Sequence, residues 1–248
     1  MLLDSKYVNI LQSKDTDKMR PTENEKDIAS FAGRLLRERF GKGPEAAHVV
    51  MQGPFITIYL RHFLSPMERV ILEQEGEQAV FRLRESMMHN VVPEINGYVQ
   101  SVTGQVYKNF YHDSDFNKES SIFVGIDENA YDGEDPFKEY AGKKKLEERV
   151  RQVTAEAEKE PDKVFSGMLN NKTVLVIREG LLINIEKELV EQGYEEQLKV
   201  TKRKLEKRLL IEGKSFTSIA GMNIADVFVD WDFERDRSVI VFIMSGSG

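Results

Sequence analysis

Four basic side chains close together in the first part of the chain are candidates for binding an anion or a partner protein. They are Arg34, Arg37, Arg39 and Lys42. They fall at the end of a segment with helical periodicity, where cations also complement the negative end of the helix dipole. The dipole role is the favoured interpretation, and an anion or partner contact stays open.

Two acidic motifs at corresponding places are the second set of candidates. They read Asp113-Ser114-Asp115-Phe116 and Asp230-Trp231-Asp232-Phe233. We expect both motifs to form hairpin turns, where an aspartate usually accepts a hydrogen bond from its own backbone. That structural role is favoured over a functional acidic site, which remains the alternative for Asp113, Asp115, Asp230 and Asp232.

Other patterns that could support chemistry fail on spacing or on residue type. The four histidines have no partner at metal-ligand spacing, and a calcium-like loop that begins at Asp127 has Tyr131 and Asp132 where an oxygen ligand and a glycine are required. Gly41-Lys42-Gly43-Pro44 closes a helix instead of opening one, so it is unsuited to cradling a phosphate. The sequence therefore predicts no catalytic residues, no metal site and no cofactor.

Composition restricts the classes of function further. The formal net charge is −7, which makes nucleic acid an unlikely partner, and the chain has no cysteine for disulfides or thiolate chemistry. The first residues lack the apolar run of a signal peptide, and no apolar run is long enough to cross a bilayer. We expect a soluble cytoplasmic protein.

The chain contains the same pattern of elements twice. With an offset of 117 residues Gly76 corresponds to Gly193, and Asp115-Phe116 corresponds to Asp232-Phe233. The offset becomes 118 for a stretch that includes Glu68 and Glu186. These matches fall at turns and strand ends, where backbone geometry restricts the residue type. The sequence predicts an α+β fold of two tandem αββαββ units, each a four-stranded antiparallel sheet with helices packed on one face.

The boundaries follow from changes in periodicity and composition. We predict a polar N-terminal tail at residues 1–22, a first unit at 23–127, an acidic linker at 128–140 and a second unit at 141–248. In the second unit the helical spacing of apolar residues predicts a long helix from Tyr194 to Ala220, with Phe216 and Ile219 facing inward. Whether the two sheets join edge to edge or pack as a pseudo-dimer stays open.

Several motifs resemble those of the MpsC-like family of bacterial proteins. They are Leu36-x-x-x-Phe40-Gly41-Lys42-Gly43-Pro44, Leu64-Ser65-Pro66-x-Glu68, and Asp113-x-Asp115 before Ile122-Phe123-Val124. The resemblance covers residues 26–126 well and the second unit more loosely. There Glu158-Lys159-Glu160-Pro161 replaces the Gly-Lys-Gly-Pro pattern, and Ile183-Asn184-Ile185-Glu186 lacks the proline. The second copy is therefore expected to have diverged.

The resemblance also implies a function. The family is named for a proposed sodium-translocating, membrane-potential-generating system, and related membrane partners are linked to uptake of inorganic carbon. The family resemblance identifies no catalytic residues in this chain. We expect a non-enzymatic cytoplasmic accessory or regulatory protein that contacts a membrane transport protein peripherally, at the inner face of the membrane. The alternative is a module that senses a small anion or a nucleotide near Arg37 and Lys42. Either a homodimer or an intrachain pseudo-dimer would suit the duplication.

Overall fold

The computed structural model describes residues 20–107, 109–212, 218–219 and 222–245. The first unit contains, in order, α1 (Glu23–Phe40), β1 (Ala46–Gln52), β2 (Phe55–Arg61), α2 (Pro66–Glu75), α3 (Glu77–Thr103), β3 (Asn109–Asp115) and β4 (Ser120–Ile126). Its strands form an antiparallel sheet in the order β1-β2-β4-β3. The predicted αββαββ order is confirmed.

The second unit repeats this arrangement. It contains α4 (Lys143–Ala157), β5 (Lys163–Met168), β6 (Thr173–Glu179), α5 (Asn184–Glu191), α6 (Glu195–Glu212), β7 (Ser218–Ile219), β8 (Met222–Asp232) and β9 (Arg237–Ser245). Its antiparallel sheet has the order β5-β6-β9-β8-β7. The added strand β7 has only two residues, so the four longer strands reproduce the sheet of the first unit.

Helix ends follow the local signals in the sequence. At the start of α2, Ser65 Oγ accepts a hydrogen bond from the Glu68 N–H group, and the Glu68 carboxylate accepts one from the Ser65 N–H group. This reciprocal pair satisfies two N–H groups that would otherwise lack partners, and Pro66 at the first position needs none. Gly41 ends α1 in the left-handed region, with φ of 74°, where glycine is favoured.

Two predicted elements differ from the observed ones. The helix predicted to run to Ala220 ends at Glu212, and Ile219 pairs with Met222 in the β7–β8 hairpin. Phe216 and Ala220 lie outside the described residues. Strand β3 spans Asn109–Asp115, so the prediction that Asp113 lies in a turn is wrong. Asp230 likewise lies inside β8.

The two sheets pack face to face, which decides the question that the sequence left open. Along β4 and β9, alternate side chains turn toward the helices of their own unit or toward the opposite sheet. Those between the sheets include Ile122, Val124 and Ile126 from β4, and Val239, Val241 and Ile243 from β9. Phe123 and Phe242 point the other way, into the helix-covered cores. The result is four layers, helices–sheet–sheet–helices, in which the units form a pseudo-dimer within one chain.

The acidic linker contributes to the core between the sheets. Tyr131 is buried there, and the Phe137 ring stacks on Phe55 with ring centroids 5.0 Å apart. A Cβ atom on Gly167 would lie 2.0 Å from the Phe137 ring, so this glycine leaves the space that the linker occupies. The linker therefore helps to hold the sheets together, beyond its expected role as a surface connection.

Candidate functional site

A cluster of charged side chains lies where the two units meet at one end of the sheet-to-sheet contact. We call it the charged junction. It consists of Asp113 on β3, Asp230 on β8, and Lys199, Arg203 and Lys207 on α6. Both aspartates and Arg203 are buried, so their charges must be compensated within the protein.

The two aspartates make matching contacts across the junction. The His112 N–H group donates to Asp230 Oδ2 at 2.8 Å, and the Val229 N–H group donates to Asp113 Oδ2 at 2.9 Å. His112 and Val229 are themselves equivalent at the 117-residue offset, each preceding its aspartate by one residue. Each unit therefore supplies an aspartate that accepts a hydrogen bond from the other unit, as in a symmetric dimer interface.

Arg203 is shared by both aspartates. Its Nε atom lies 3.0 Å from Asp113 Oδ1, and its Nη2 atom lies 2.9 Å from Asp230 Oδ1. The same guanidinium donates to the carbonyls of His112 and Val229, one in each unit. Its side chain is 3% exposed, so one buried cation contacts two buried carboxylates. This contact fixes the position of α6 relative to both sheets.

Further ionic groups surround this centre. Lys207 Nζ lies 2.6 Å from Asp113 Oδ2, and Lys199 Nζ lies 3.5 Å from Asp230 Oδ1. Burial opposes the charge of Lys199, but Asp230 and then Glu85 outweigh it and raise the pKa of the Lys199 ammonium. On α3, Glu85 lies 3.4 Å from the His112 imidazole. Burial opposes the Glu85 charge too, yet the hydrogen bond with His112 and the nearby cations lower the pKa of Glu85 to about 2.

A cleft of about 690 Å³ opens beside the junction, between α6 and the first unit. The α6 side supplies Arg203, Lys204 and Lys207, the α2–α3 bend supplies Glu75 and Glu77, and the β3–β4 turn supplies Asp115. Phe81 and Phe116 add apolar surface. Because Arg203 and Lys207 are held by Asp113, the exposed Lys204 is the cation best placed to meet an incoming anionic group.

The basic side chains at the end of α1 are exposed or contact different neighbours. Arg34, Arg37 and Arg39 are exposed, and Arg39 pairs with Glu94 on α3. Lys42 Nζ donates to the Leu64 carbonyl at 3.1 Å. These contacts direct the cations to different neighbours. An anion site at Arg37 and Lys42 stays a prediction.

The acidic motifs divide into two roles. Asp115 Oδ1 accepts from the Lys118 N–H group at 3.0 Å, and Asp232 Oδ1 accepts from the Arg235 N–H group at 3.1 Å, so these two stabilise their own turns. Asp113 and Asp230 instead bridge the units. Sequence reasoning missed Arg203, their shared partner. The sequence signal for a shared role of Asp113 and Asp230 was that an aspartate occupies the same place in both copies.

Two short helices at equivalent places expose apolar side chains. Met67 on α2 is 70% exposed and Ile185 on α5 is 62% exposed, and they correspond at the 118-residue offset. Val70, one turn along α2 from Met67, is also exposed. Both units thus present an apolar residue from the same position of the fold.

Comparison with known proteins identifies one matching family. A family model described as "Na+-translocating membrane potential-generating system (MpsC)" matches residues 21–128 and again residues 142–246. No curated protein and no solved structure matches the chain. Across the described ranges, no helix combines the length and the apolar character needed to span a membrane.

Proposed function

The chain belongs to the MpsC family, and on that premise we propose that it is a non-enzymatic accessory or regulatory protein of a membrane ion or inorganic-carbon transport system. The observation that carries this proposal is the family match over both units, because the family description names a membrane-potential-generating system. In this proposal the protein works in the cytoplasm at the inner face of the membrane. It acts through peripheral contact with a membrane transport protein.

The exposed apolar residues of α2 and α5 supply a contact surface for this role. Met67 and Val70 on α2 would pack against a partner, and Ile185 on α5 would make the equivalent contact from the second unit. Burying a side chain of this size on binding contributes roughly 1.5–3 kcal/mol. Two equivalent contacts on one chain favour a partner with two similar docking sites, since the second contact is then intramolecular.

Affinity capture tests this proposal. The tagged protein is incubated at low salt with gently solubilised membranes of its host, and the retained proteins are identified by mass spectrometry. We expect a transport-protein subunit to be enriched over a capture with an unrelated tagged protein. If no membrane transport protein is enriched, the accessory role is contradicted.

The cleft beside the charged junction favours a second candidate function, the sensing of a small anion or a nucleotide. Its volume of about 690 Å³ suits a small molecule. Its mixture of cations with Phe81 and Phe116 could contact both an anionic group and a flat ring. In this version the ligand would approach Lys204 on α6, in place of Arg37 and Lys42 at the end of α1.

Thermal unfolding with bicarbonate, phosphate and ATP tests the sensing function. A ligand present at one hundred times its Kd stabilises the fold by about 2.7 kcal/mol. Lys204→Gln should remove the shift if the cleft binds the anion, whereas Lys42→Gln should remove it if the end of α1 does. Lys144→Gln, an exposed residue on α4, is the control and should leave the shift intact. The sensing function fails if none of the three anions stabilises the protein.

A further inference from the structure

The core of the second unit contains a group of buried charges separate from the charged junction. Glu158 ends α4, Glu186 lies on α5, Lys202 and Glu206 lie on α6, and Arg178 lies on β6. Arg178 and Glu206 are both 0% exposed, and the Glu158 side chain is 3% exposed. We call Glu158 and Glu206 the acid pair.

The contacts form two sets, one around Lys202 and one around Arg178, and the Glu158 and Glu206 carboxyl groups lie within hydrogen-bonding reach of each other between them. Lys202 Nζ lies 2.6 Å from Glu158 Oε1 and 2.7 Å from Glu186 Oε1. Arg178 Nη1 lies 2.7 Å from Glu206 Oε2, and Arg178 also donates to two hydroxyl groups, those of Thr154 and Ser238. The network therefore contains three carboxyl groups and two cations. With every carboxyl ionised it would hold one uncompensated negative charge, which is costly inside a protein.

Each carboxyl of the acid pair has one oxygen in a short contact with a cation. The other oxygens, Glu158 Oε2 and Glu206 Oε1, have no hydrogen-bond partner within the described residues. The Trp231 ring lies beside Lys202 in the same part of the core. Its buried Nε1–H group has no acceptor among the same residues, and Lys202 Nζ lies 5.5 Å from the centre of its ring.

The first unit has no counterpart of the acid pair. Arg84 holds Glu68 as Lys202 holds Glu186, so α3 and α6 align with an offset of 118. At that offset Glu206 corresponds to Met88 and Arg178 to Leu60. At the 117-residue offset Glu158 corresponds to Gly41. The extra charges therefore belong to the second copy alone.

We propose that the acid pair is a proton-binding site, in which one proton shared between Glu158 and Glu206 holds α6 against α4 and the sheet. The protonated carboxyl donates a hydrogen bond to the other carboxylate, so the pair has a charge of −1 and no covalent bond to carbon changes. With Glu186, Arg178 and Lys202 the network is then neutral. Because α6 also carries Arg203, the proton links the core of the second unit to the charged junction.

The electrostatic surroundings agree with this assignment. Burial, and next the charge of Glu206, raise the pKa of Glu158, while Lys202 lowers it by a smaller amount. Glu158 also lies at the C-terminal end of α4, where the helix dipole disfavours a negative charge. The charged groups around the acid pair come from α5 (Glu186), α6 (Lys202) and β6 (Arg178).

Infrared difference spectroscopy of the full chain tests the proposal, because a protonated carboxyl has a C=O stretching band that a carboxylate lacks. Asp226, between the sheets, is a second buried acid whose pKa is raised by burial, so the measurement is made in the Asp226→Asn background. We expect the band to be present at pH 7 and to be lost as the pH rises through about 8. Loss of the band at high pH reports release of the shared proton.

Two variants identify the source of the band. Glu158→Gln and Glu206→Gln each leave two carboxylates facing two cations, so both should lose the band at pH 7. Glu160→Gln, an exposed residue two positions after Glu158, should retain it. A missing band at pH 7 in the Asp226→Asn protein, or a band that survives both acid-pair variants, would overturn the proposal. If neither variant folds, absence of the band from the Asp226→Asn protein at pH 7 still overturns the proposal.

Discussion

The two units have the same fold but stabilise their buried charges differently. In the first unit Arg84 Nε lies 2.7 Å from Glu68 Oε1, and the rest of its guanidinium donates to Ser114, Ser121 and the Phe63 carbonyl. Burial opposes the charge of Glu68, but the bond with Arg84 outweighs it and lowers the pKa of Glu68. In the second unit Glu158 has its pKa shifted in the opposite direction.

This difference shows how a duplicated fold can diverge without changing its architecture. A complete one-to-one ion pair stays charged throughout the neutral pH range. Three carboxyls with two cations can instead be balanced by a proton, so the second unit should respond to pH where the first does not. Helix α6 connects the network of the second unit to the charged junction, because it carries both Glu206 and Arg203.

The largest effect is expected from breaking the contact that joins the units. Arg203→Met leaves Asp113 and Asp230 buried without their shared cation, and removing one partner of a buried ion pair typically costs about 3–5 kcal/mol. The measurement is the free energy of unfolding from urea titration. Arg208→Met, on an exposed position of the same helix, is the matched control and should change it by less than about 0.5 kcal/mol. Equal effects of the two variants would contradict the role of Arg203.

The second prediction concerns the pH dependence of stability. Burial and Glu206 raise the pKa of Glu158 to about 8 in the folded protein, from an ordinary value of 4.5. Its contribution to stability is therefore fully present below about pH 4.5 and is lost as the pH rises through about 8. Between these values one extra bound proton changes the unfolding free energy by at most about 1.4 kcal/mol per pH unit.

Glu158→Gln removes this contribution, so the stability of wild type should fall relative to that of the variant as the pH rises from 5 to 8. Urea unfolding at half-unit pH intervals measures the difference. Glu160→Gln should give a curve parallel to that of wild type, since its side chain is exposed. If the curve of Glu158→Gln also ran parallel to that of wild type, the proposed difference between the two cores would be contradicted.

A smaller change in the unfolding free energy is expected from the N-cap of α2, which the equivalent helix α5 lacks. Ser65 Oγ caps α2, whereas the corresponding Ile183 has no side-chain acceptor to offer α5. Ser65→Ala should lower the unfolding free energy by about 1 kcal/mol, the usual contribution of an N-cap side chain. Ser86→Ala, at an exposed position within α3, should change it by less than half as much. Comparable losses in these two variants would contradict a capping role for Ser65.

The sequence predicted the repeated fold because its signals are local. The Ser65-Pro66-x-Glu68 motif predicts a helix start, and alternating apolar residues such as Ile56, Ile58 and Leu60 of β2 predict a strand. The helix predicted to reach Ala220 was wrong because helical spacing of apolar residues did not account for the pairing of Ile219 with Met222.

The charged junction could not be predicted from local signals. The hydrogen bonds from Val229 to Asp113 and from His112 to Asp230 connect residues 116 and 118 positions apart. They depend on how the sheets face each other, and the sequence left that arrangement open. The acid pair had a clearer signal, because the charged residues Glu158, Arg178 and Glu206 occupy places where the first copy has Gly41, Leu60 and Met88. A position-by-position comparison of the copies finds it.

The most direct test of the proposed accessory role compares capture from native membranes by wild type, Met67→Glu and Ile185→Glu. Both residues are exposed, so neither substitution should affect folding, while each places a charge on one of the equivalent apolar surfaces. We predict that wild type retains a membrane transport protein and that each variant retains less of it. Glu188→Gln, at an exposed position on α5, should match wild type. Retention of no transport protein by wild type, or equal retention by all four proteins, would contradict the proposed contact.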